Sequence, residues 1–294
     1  MISKKLVSPV RLAVLVALLG AAQKAYGYEA CSEYPVPMRS PGDRVRFIAF
    51  GDSGSGFPEQ YRLAEQMEAA RKKTGFRFAV MLGDNIYPRG DVALAAERFE
   101  KPYAELLEAG VKFYPVFGNH DLRTNDGRDE MAYFRMPDHW YSFKAGDAEF
   151  FMLDSNWSHM TLPNLAWLEK ALWTSSARWK IVALHHPVYS AAGHRSSRWR
   201  RLFLEPILMA NRASLVLSGH DHDYERIIPQ KGTYYFVSGG AGGKIRPVRD
   251  SHEIDAVATA IPHFILFELG KEEGQFQAIN SCGGVFDYGS LKPH

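Results

Sequence analysis

The chain of 294 residues holds only two cysteines, Cys31 and Cys282. That excludes a disulfide-dense scaffold and any metal site built on clustered thiolates. An excess of one charge is also missing, since 35 basic residues face 33 acidic ones. The first 27 residues carry Lys4, Lys5, Arg11 and Lys24 and no acid, so the rest has 31 basic against 33 acidic residues, a net of −2. A body this near neutrality lacks the concentrated basic face that generic nucleic-acid or anionic-membrane binding requires. The chain also has no internal repeat, low-complexity tract or long linker, which excludes a solenoid or a tethered multi-domain array. No apolar run reaches the roughly 20 residues needed to span a bilayer. What remains is 46% hydrophobic and 23% charged, and the chain is long enough to bury a core unaided.

The amino terminus reads as an export signal over residues 1–27. Lys4, Lys5 and Arg11 form the basic part, residues 12–22 the apolar run, and Ala25-Tyr26-Gly27 the small-residue cleavage region. The expectation is an exported protein, periplasmic or secreted, with no stable membrane association after cleavage. In an oxidising compartment Cys31 and Cys282 either tie the two ends together or remain two free thiols. Residues 28–44, with Pro35, Pro37 and Pro41, read as an irregular lead-in, and residues 45–294 as one domain.

Within that domain, short apolar runs alternate with helical patterns. Strands are expected at residues 45–50, 76–82, 111–117, 179–184 and 214–217, with helices at 58–73, 93–109, 165–173 and 198–211. Residues 140–144 and 149–153 read as a hairpin, and residues 233–278 as mostly strand. The fold class expected is α/β: two packed mixed β-sheets flanked by helices.

Polar clusters follow five of the apolar runs. They are Gly51-Asp52-Ser53-Gly54, Gly83-Asp84-Asn85-Ile86-Tyr87, Gly118-Asn119-His120-Asp121, His185-His186 and Ser218-Gly219-His220-Asp221-His222. In open α/β sheets the carboxyl ends of strands line the ligand crevice. Any one cluster reads as a turn or a helix cap, but five behind five strands make a site. Two carboxylates, an amide oxygen, a phenol and three imidazoles suit Fe, Zn or Mn. Seven donors are too many for one ion with an open position, whereas a shared carboxylate gives each of two ions four.

This arrangement resembles a known family, the calcineurin-like metallophosphoesterases, and within it the purple acid phosphatases of the small tartrate-resistant kind. The resemblance runs from about residue 45 to 243 with the five motifs in family order. It includes Pro187-Val188-Tyr189-Ser190 and Ser238-Gly239-Gly240-Ala241-Gly242-Gly243. Other members of the wider family carry a histidine two residues after the first aspartate, where this chain has Gly54. The purple branch has instead a tyrosine three residues after the second, where Tyr87 stands. A phenolate in place of an imidazole favours Fe(III).

The resemblance implies that Asp52, Tyr87 and His222 hold Fe(III), and that Asn119, His185 and His220 hold a divalent Fe, Zn or Mn. Asp84 bridges the two ions. His186 is left between a supporting role and rim packing. His120 is expected to contact phosphate and protonate the leaving oxygen, with Asp121 orienting its ring, and His194 to be a further substrate contact. Arg89, Arg123, Arg128, Arg195 and Arg198 lie near the motif loops as candidate phosphate contacts. His139, His159, His252, His263 and His294 follow no such motif and read as structural or surface groups. The implied reaction is hydrolysis of small-molecule phosphomonoesters by a metal-activated hydroxide at mildly acidic pH. The alternatives are a Mn- or Zn-dependent phosphodiesterase or nucleotide phosphatase, and a metal-binding protein without turnover.

Overall fold

The thirteen strands that the structure places among residues 44–191, 198–248 and 255–294 of this computed structural model form two sheets. The expected export signal, nearly all of the lead-in, Cys31, His194, Arg195 and His252 lie outside the described residues. Cys282 is disulfide-bonded.

The strands are β1 (Val45–Phe50), β2 (Phe78–Met81), β3 (Lys112–Pro115), β4 (Tyr141–Ala145), β5 (Ala148–Leu153), β6 (Trp179–Leu184), β7 (Leu215–Ser218), β8 (Tyr224–Gln230), β9 (Thr233–Ser238), β10 (Asp255–Thr259), β11 (His263–Leu269), β12 (Gly274–Asn280) and β13 (Val285–Leu291). One sheet runs β13-β12-β11-β1-β2-β3 and the other β10-β8-β9-β7-β6-β5-β4. β1, β2 and β3 are mutually parallel, as are β5, β6, β7 and β9, while the outer strands pair antiparallel. The expected class, two mixed sheets flanked by helices, is what the chain adopts.

Three apolar clusters account for the layering. The central one joins the facing sides of both sheets, with Phe47 stacked on Phe267 at 4.9 Å and set edge-on to Phe150 at 5.0 Å. The other two lie between each sheet and its helices. These helices are α1 (Pro58–Thr74) and α2 (Ala104–Glu108) on the first sheet, and α4 (Leu162–Thr174) and α5 (Arg198–Ala210) on the second; α3 (Arg128–Phe134) lies between β3 and β4 in the chain. Covered on both faces, β1 and β6 read as almost unbroken apolar runs. Full burial of one such phenylalanine stabilises by about 1.5–3 kcal/mol. α1 buries Leu63, Met67 and Ala70 at helical spacing and stops at Gly75, whose φ of 70° only glycine adopts readily.

The continuous helix expected at residues 93–109 is instead broken into a short turn, an irregular segment at Ala96–Glu100 and α2. Pro102 lies at the break, where it lacks the N–H that a helix needs and its ring meets the preceding turn. α3, β8 and β13 were not expected from the sequence. Among the described residues no helix is long and apolar enough to cross a membrane.

Candidate metal centre

All five polar clusters lie at carboxyl ends of parallel strands, three on the first sheet and two on the second. The two sheets are joined there by backbone. Gly51 N–H donates to the Ser238 carbonyl of the other sheet at 2.8 Å, while within the first sheet Asp52 N–H donates to the Gly83 carbonyl at 2.9 Å. The glycine-rich stretch after β9 wraps Asp52, since Gly243 N–H donates to its carbonyl at 2.9 Å. Gly83 has no alternative at its position. Its φ is 88°, and a Cβ there would lie 2.5 Å from Nδ1 of His185 and 2.7 Å from the Gly118 nitrogen.

The seven predicted donors fall into two linked groups. The Tyr87 hydroxyl lies 3.1 Å from Asp52 Oδ1 and 3.2 Å from His222 Nε2, which is itself 3.3 Å from Asp52 Oδ1. His185 Nε2 lies 3.2 Å from His220 Nδ1 and 3.6 Å from Asp84 Oδ1. A backbone N–H joins the groups, because His220 N–H donates to Asp52 Oδ2 at 2.8 Å. Asn119 stands beside His120, whose own N–H donates to Asp84 Oδ1 at 2.9 Å. The Asn119 amide oxygen is shut off from solvent and has no hydrogen-bond partner.

These groups fit a pair of cations. His185 Nδ1 rests on the Leu82 carbonyl at 2.7 Å and His222 Nδ1 on the Lys244 carbonyl at 2.8 Å. Each carbonyl can take an N–H, which leaves Nε2 as a lone pair pointed into the site. Buried carboxylates, an orphaned amide oxygen and converging imidazole nitrogens are costly unless an ion satisfies them. Burial works against ionisation of Asp52, but the neighbouring His185, His222 and His220 outweigh it and hold its carboxyl below the ordinary range. Burial likewise opposes charge on His222, and the Asp52 carboxylate pushes it up. Burial, reinforced by Asp52 and Asp84, holds the Tyr87 phenol far above its ordinary value, so ionisation there needs a cation.

His120 is in place beside this cluster. Its ring meets Tyr87 edge-on at 4.7 Å, and Nε2 lies 3.9 Å from Asp84 Oδ2. Asp121 does not orient that ring. Nδ1 of His120 rests on the Pro88 carbonyl at 2.8 Å. The fully buried Asp121 carboxylate instead accepts backbone N–H groups from Gly118, Asn85 and Ile86, clamping the second motif to the third. Arg123, one of the arginines near the motif loops, brings its guanidinium to 3.3 Å from His120 Nε2. His186 is buried against the His220 ring at 4.5 Å and bonds Ser155 Oγ at 2.9 Å, which supports the neighbouring histidine.

The sequence reading passed over Asp154-Ser155-Asn156. This polar group follows β5 as the others follow their strands, so the same rule would have found it. Asn156 reaches the Gly118 carbonyl at 3.3 Å.

The calcineurin-like phosphoesterase model matches residues 45–224, more than half of the chain. The chain belongs to the calcineurin-like phosphoesterase family. Within this family its relatives are purple and tartrate-resistant acid phosphatases. It is 30% identical over 240 residues to purple acid phosphatase 17 of Arabidopsis thaliana, covering 71% of each chain. To tartrate-resistant acid phosphatase type 5 of Rattus norvegicus it is 25% identical over 293 residues, covering 83% of this chain and 89% of that one. The structure of a purple acid phosphatase from yellow lupin seeds superposes with a TM-score of 0.77 at 18% identity, covering 87% of this chain and 55% of that chain. At that identity the lupin likeness speaks for the fold alone.

Proposed function

We propose that this calcineurin-like phosphoesterase is an exported acid phosphatase with a two-cation centre that hydrolyses phosphomonoesters, residues 45–294 forming its working domain. The observation that carries the reading is the convergence of the Asp52–Tyr87–His222 and His185–His220–Asp84 groups, with the unpartnered Asn119 oxygen beside them. Asp52, Tyr87 and His222 would hold Fe(III). Asn119, His185 and His220 would hold a divalent Fe, Zn or Mn, and Asp84 would lie between the two sets. When bound, such a pair supplies charge neutralisation at phosphoryl oxygens and a lowered pKa for the attacking water.

The chain's own residues do the rest. His185 and His222, each tied through Nδ1 to a carbonyl, keep fixed ring orientations. Arg123 adds a fixed positive charge beside His120 for the phosphate oxygens. His120 gives a proton to the leaving alkoxide as general acid. No side-chain nucleophile, and hence no covalent phosphoenzyme, is required.

Metal analysis of the purified protein together with its visible spectrum and its rates on p-nitrophenyl phosphate and bis-p-nitrophenyl phosphate tests the proposal. Two metals per chain including iron, a violet tyrosinate band and a preference for the monoester are expected. A colourless, fully metallated and active preparation would remove Tyr87 from the iron, and a preference for the diester would favour the phosphodiesterase alternative. Amino-terminal sequencing of the protein recovered outside the cytoplasm tests export, which requires loss of the first 27 or so residues.

A further inference from the structure

Behind the strand-end donors, two acids share one amide with no cation beside them. Asp121 and Glu130 are both fully buried, and among the described residues no basic side chain pairs with either. Asn85 Nδ2 lies 2.9 Å from Glu130 Oε1, 3.1 Å from Asp121 Oδ2 and 2.9 Å from the Val116 carbonyl. Three oxygens around that atom mark it as the amide nitrogen, and its two hydrogens cannot serve all three at once. Two ionised carboxylates crowded around one donor in a dry interior repel each other, so one of them keeps a proton.

The contacts say which acid that is. Asp121 Oδ2 accepts the Gly118 N–H at 2.8 Å and Oδ1 the Asn85 N–H at 2.9 Å, bonds that favour the ionised form. Glu130 accepts only the shared amide, and its Oε2 is shut off from solvent with no hydrogen-bond partner. An orphaned oxygen costs far less on a neutral acid than on a carboxylate. Burial, reinforced by the Asp121 and Asp84 charges, pushes the Glu130 carboxyl well above its ordinary range. Burial also raises Asp121, where the N–H groups of Gly118, Ile86 and Asn85 pull the other way.

We propose that Glu130 is a positioning residue for the metal centre, holding the Asn85 side chain as a neutral acid. The proposal rests on the reading that Asp84 and Tyr87 hold the cations. Asn85 stands between these two donors in the chain, and its amide reaches Val116 at the end of β3 and Asp121 in the third motif. Glu130, on α3, supplies the third contact and so ties the span from Asp84 to Tyr87 to a helix outside both sheets. Were Glu130 charged, it would repel Asp121 across the shared amide and loosen that span. Glu130 acts on the donors only through Asn85.

The test compares the full chain as wild type, Glu130→Gln and Glu130→Met. It reads metal equivalents retained after dialysis, the position of the violet band, and kcat and KM on p-nitrophenyl phosphate. Gln keeps an oxygen under Asn85 without charge, whereas Met keeps the length and packing without the hydrogen bond. Glu130→Gln is expected to match wild type throughout. Glu130→Met should retain less metal, shift the band and lose about 100-fold in kcat with KM little changed, the penalty for displacing reacting groups by roughly 1 Å. Wild-type metal content, band and kcat in Glu130→Met would overturn the positioning role. A Glu130→Gln protein that loses metal or turnover would show that the ionised carboxylate is needed and overturn the proposal as well, and this arm decides alone where Glu130→Met does not fold. A colourless and inactive wild type would strike the phosphatase reading instead, and the retained-metal comparison would still decide the role of Glu130.

Discussion

The surroundings of Gly54 leave no room for a side chain at that position. A Cβ at residue 54 would lie 2.0 Å from the Asn85 carbonyl oxygen, 2.4 Å from its carbonyl carbon and 2.7 Å from the Ile86 Cα. All three are backbone atoms, so no rotamer change relieves the contact. Ordinary contact starts at 3.4 Å, so the 2.0 Å gap must open to that distance by moving the segment between Asp84 and Tyr87. The segment is stitched to Gly54 by Tyr87 N–H on the Gly54 carbonyl at 2.9 Å, and the shift therefore passes directly to the phenol and the carboxylate.

Overpacking of this kind costs about 1–3 kcal/mol, and each kcal/mol lowers Tm by roughly 2–4 °C in a large domain. Gly54→Ala should then melt about 2–12 °C lower than wild type. Its kcat should fall about 100-fold, the penalty for displacing a reacting group by roughly 1 Å. Calorimetry and a p-nitrophenyl phosphate assay read the two effects. Gly75→Ala is the control, because Gly75 has a φ of 70° but nothing within 4 Å of its added Cβ. It should lose about 1–2 kcal/mol of stability to backbone strain and keep its kcat. A Gly54→Ala enzyme with wild-type kcat would refute the argument that Gly54 is there to let Tyr87 and Asp84 approach.

Three further outcomes are expected. Tyr87→Phe keeps the edge-on packing against His120 but loses the hydroxyl between Asp52 and His222, so the violet band should vanish while the fold persists; a coloured Tyr87→Phe protein would exclude Tyr87 as the chromophore. Asn119→Ala removes the orphaned amide oxygen and should cost one equivalent of metal together with turnover, by elemental analysis and assay, whereas two retained metals with full activity would exclude it as a donor. Burial lifts the Glu225 carboxyl from the ordinary 4.5 to about 7, against the pull of the Ala191 N–H and the Ser190 hydroxyl. Between those values the folded chain keeps a proton that the unfolded chain has released, so stability falls as pH rises from 4.5 to 7, by about 3 kcal/mol in all. Glu225→Gln should flatten that slope in urea titrations at pH 5 and 7.5, and an unchanged slope would assign it to other groups.

What the sequence disclosed follows from how each feature is encoded. Strands covered on both faces are written as apolar runs, and a strand end opening on glycine and a polar group is local, so the layering and the convergence of the strand-end polar clusters were legible. Pairing between distant polar residues is not local. β8 and β13 escaped notice because Tyr224, Arg226 and Asp287 look like surface residues. In the fold Asp287 accepts the Tyr224 hydroxyl at 2.6 Å and the Arg226 Nε at 2.7 Å, across the two sheets. Asp121 misled for the same reason. Its neighbour in sequence is His120, but its carboxylate faces the opposite way, onto the backbone of the second and third motifs.

The backbone at the donors was also hidden, and it bears on how the centre is made. Asp52, Asp84 and His220 have φ of 58°, 52° and 70°, in a region that non-glycine residues enter at a cost of about 1–2 kcal/mol each. Such strain persists only where surrounding contacts hold it. Here the holding contacts are the acids' own. Asp52 Oδ2 takes the His220 N–H, which fixes one strained residue with another, and Asp84 Oδ1 takes the N–H of His120. In Asp52 this ties one oxygen to backbone and leaves Oδ1 turned to Tyr87 and His222, so the carboxylate offers a single oriented donor rather than two loose ones. The protein's own hydrogen bonds therefore orient these carboxylates, and the strained turns aim the polar groups inward from strands that belong to two different sheets.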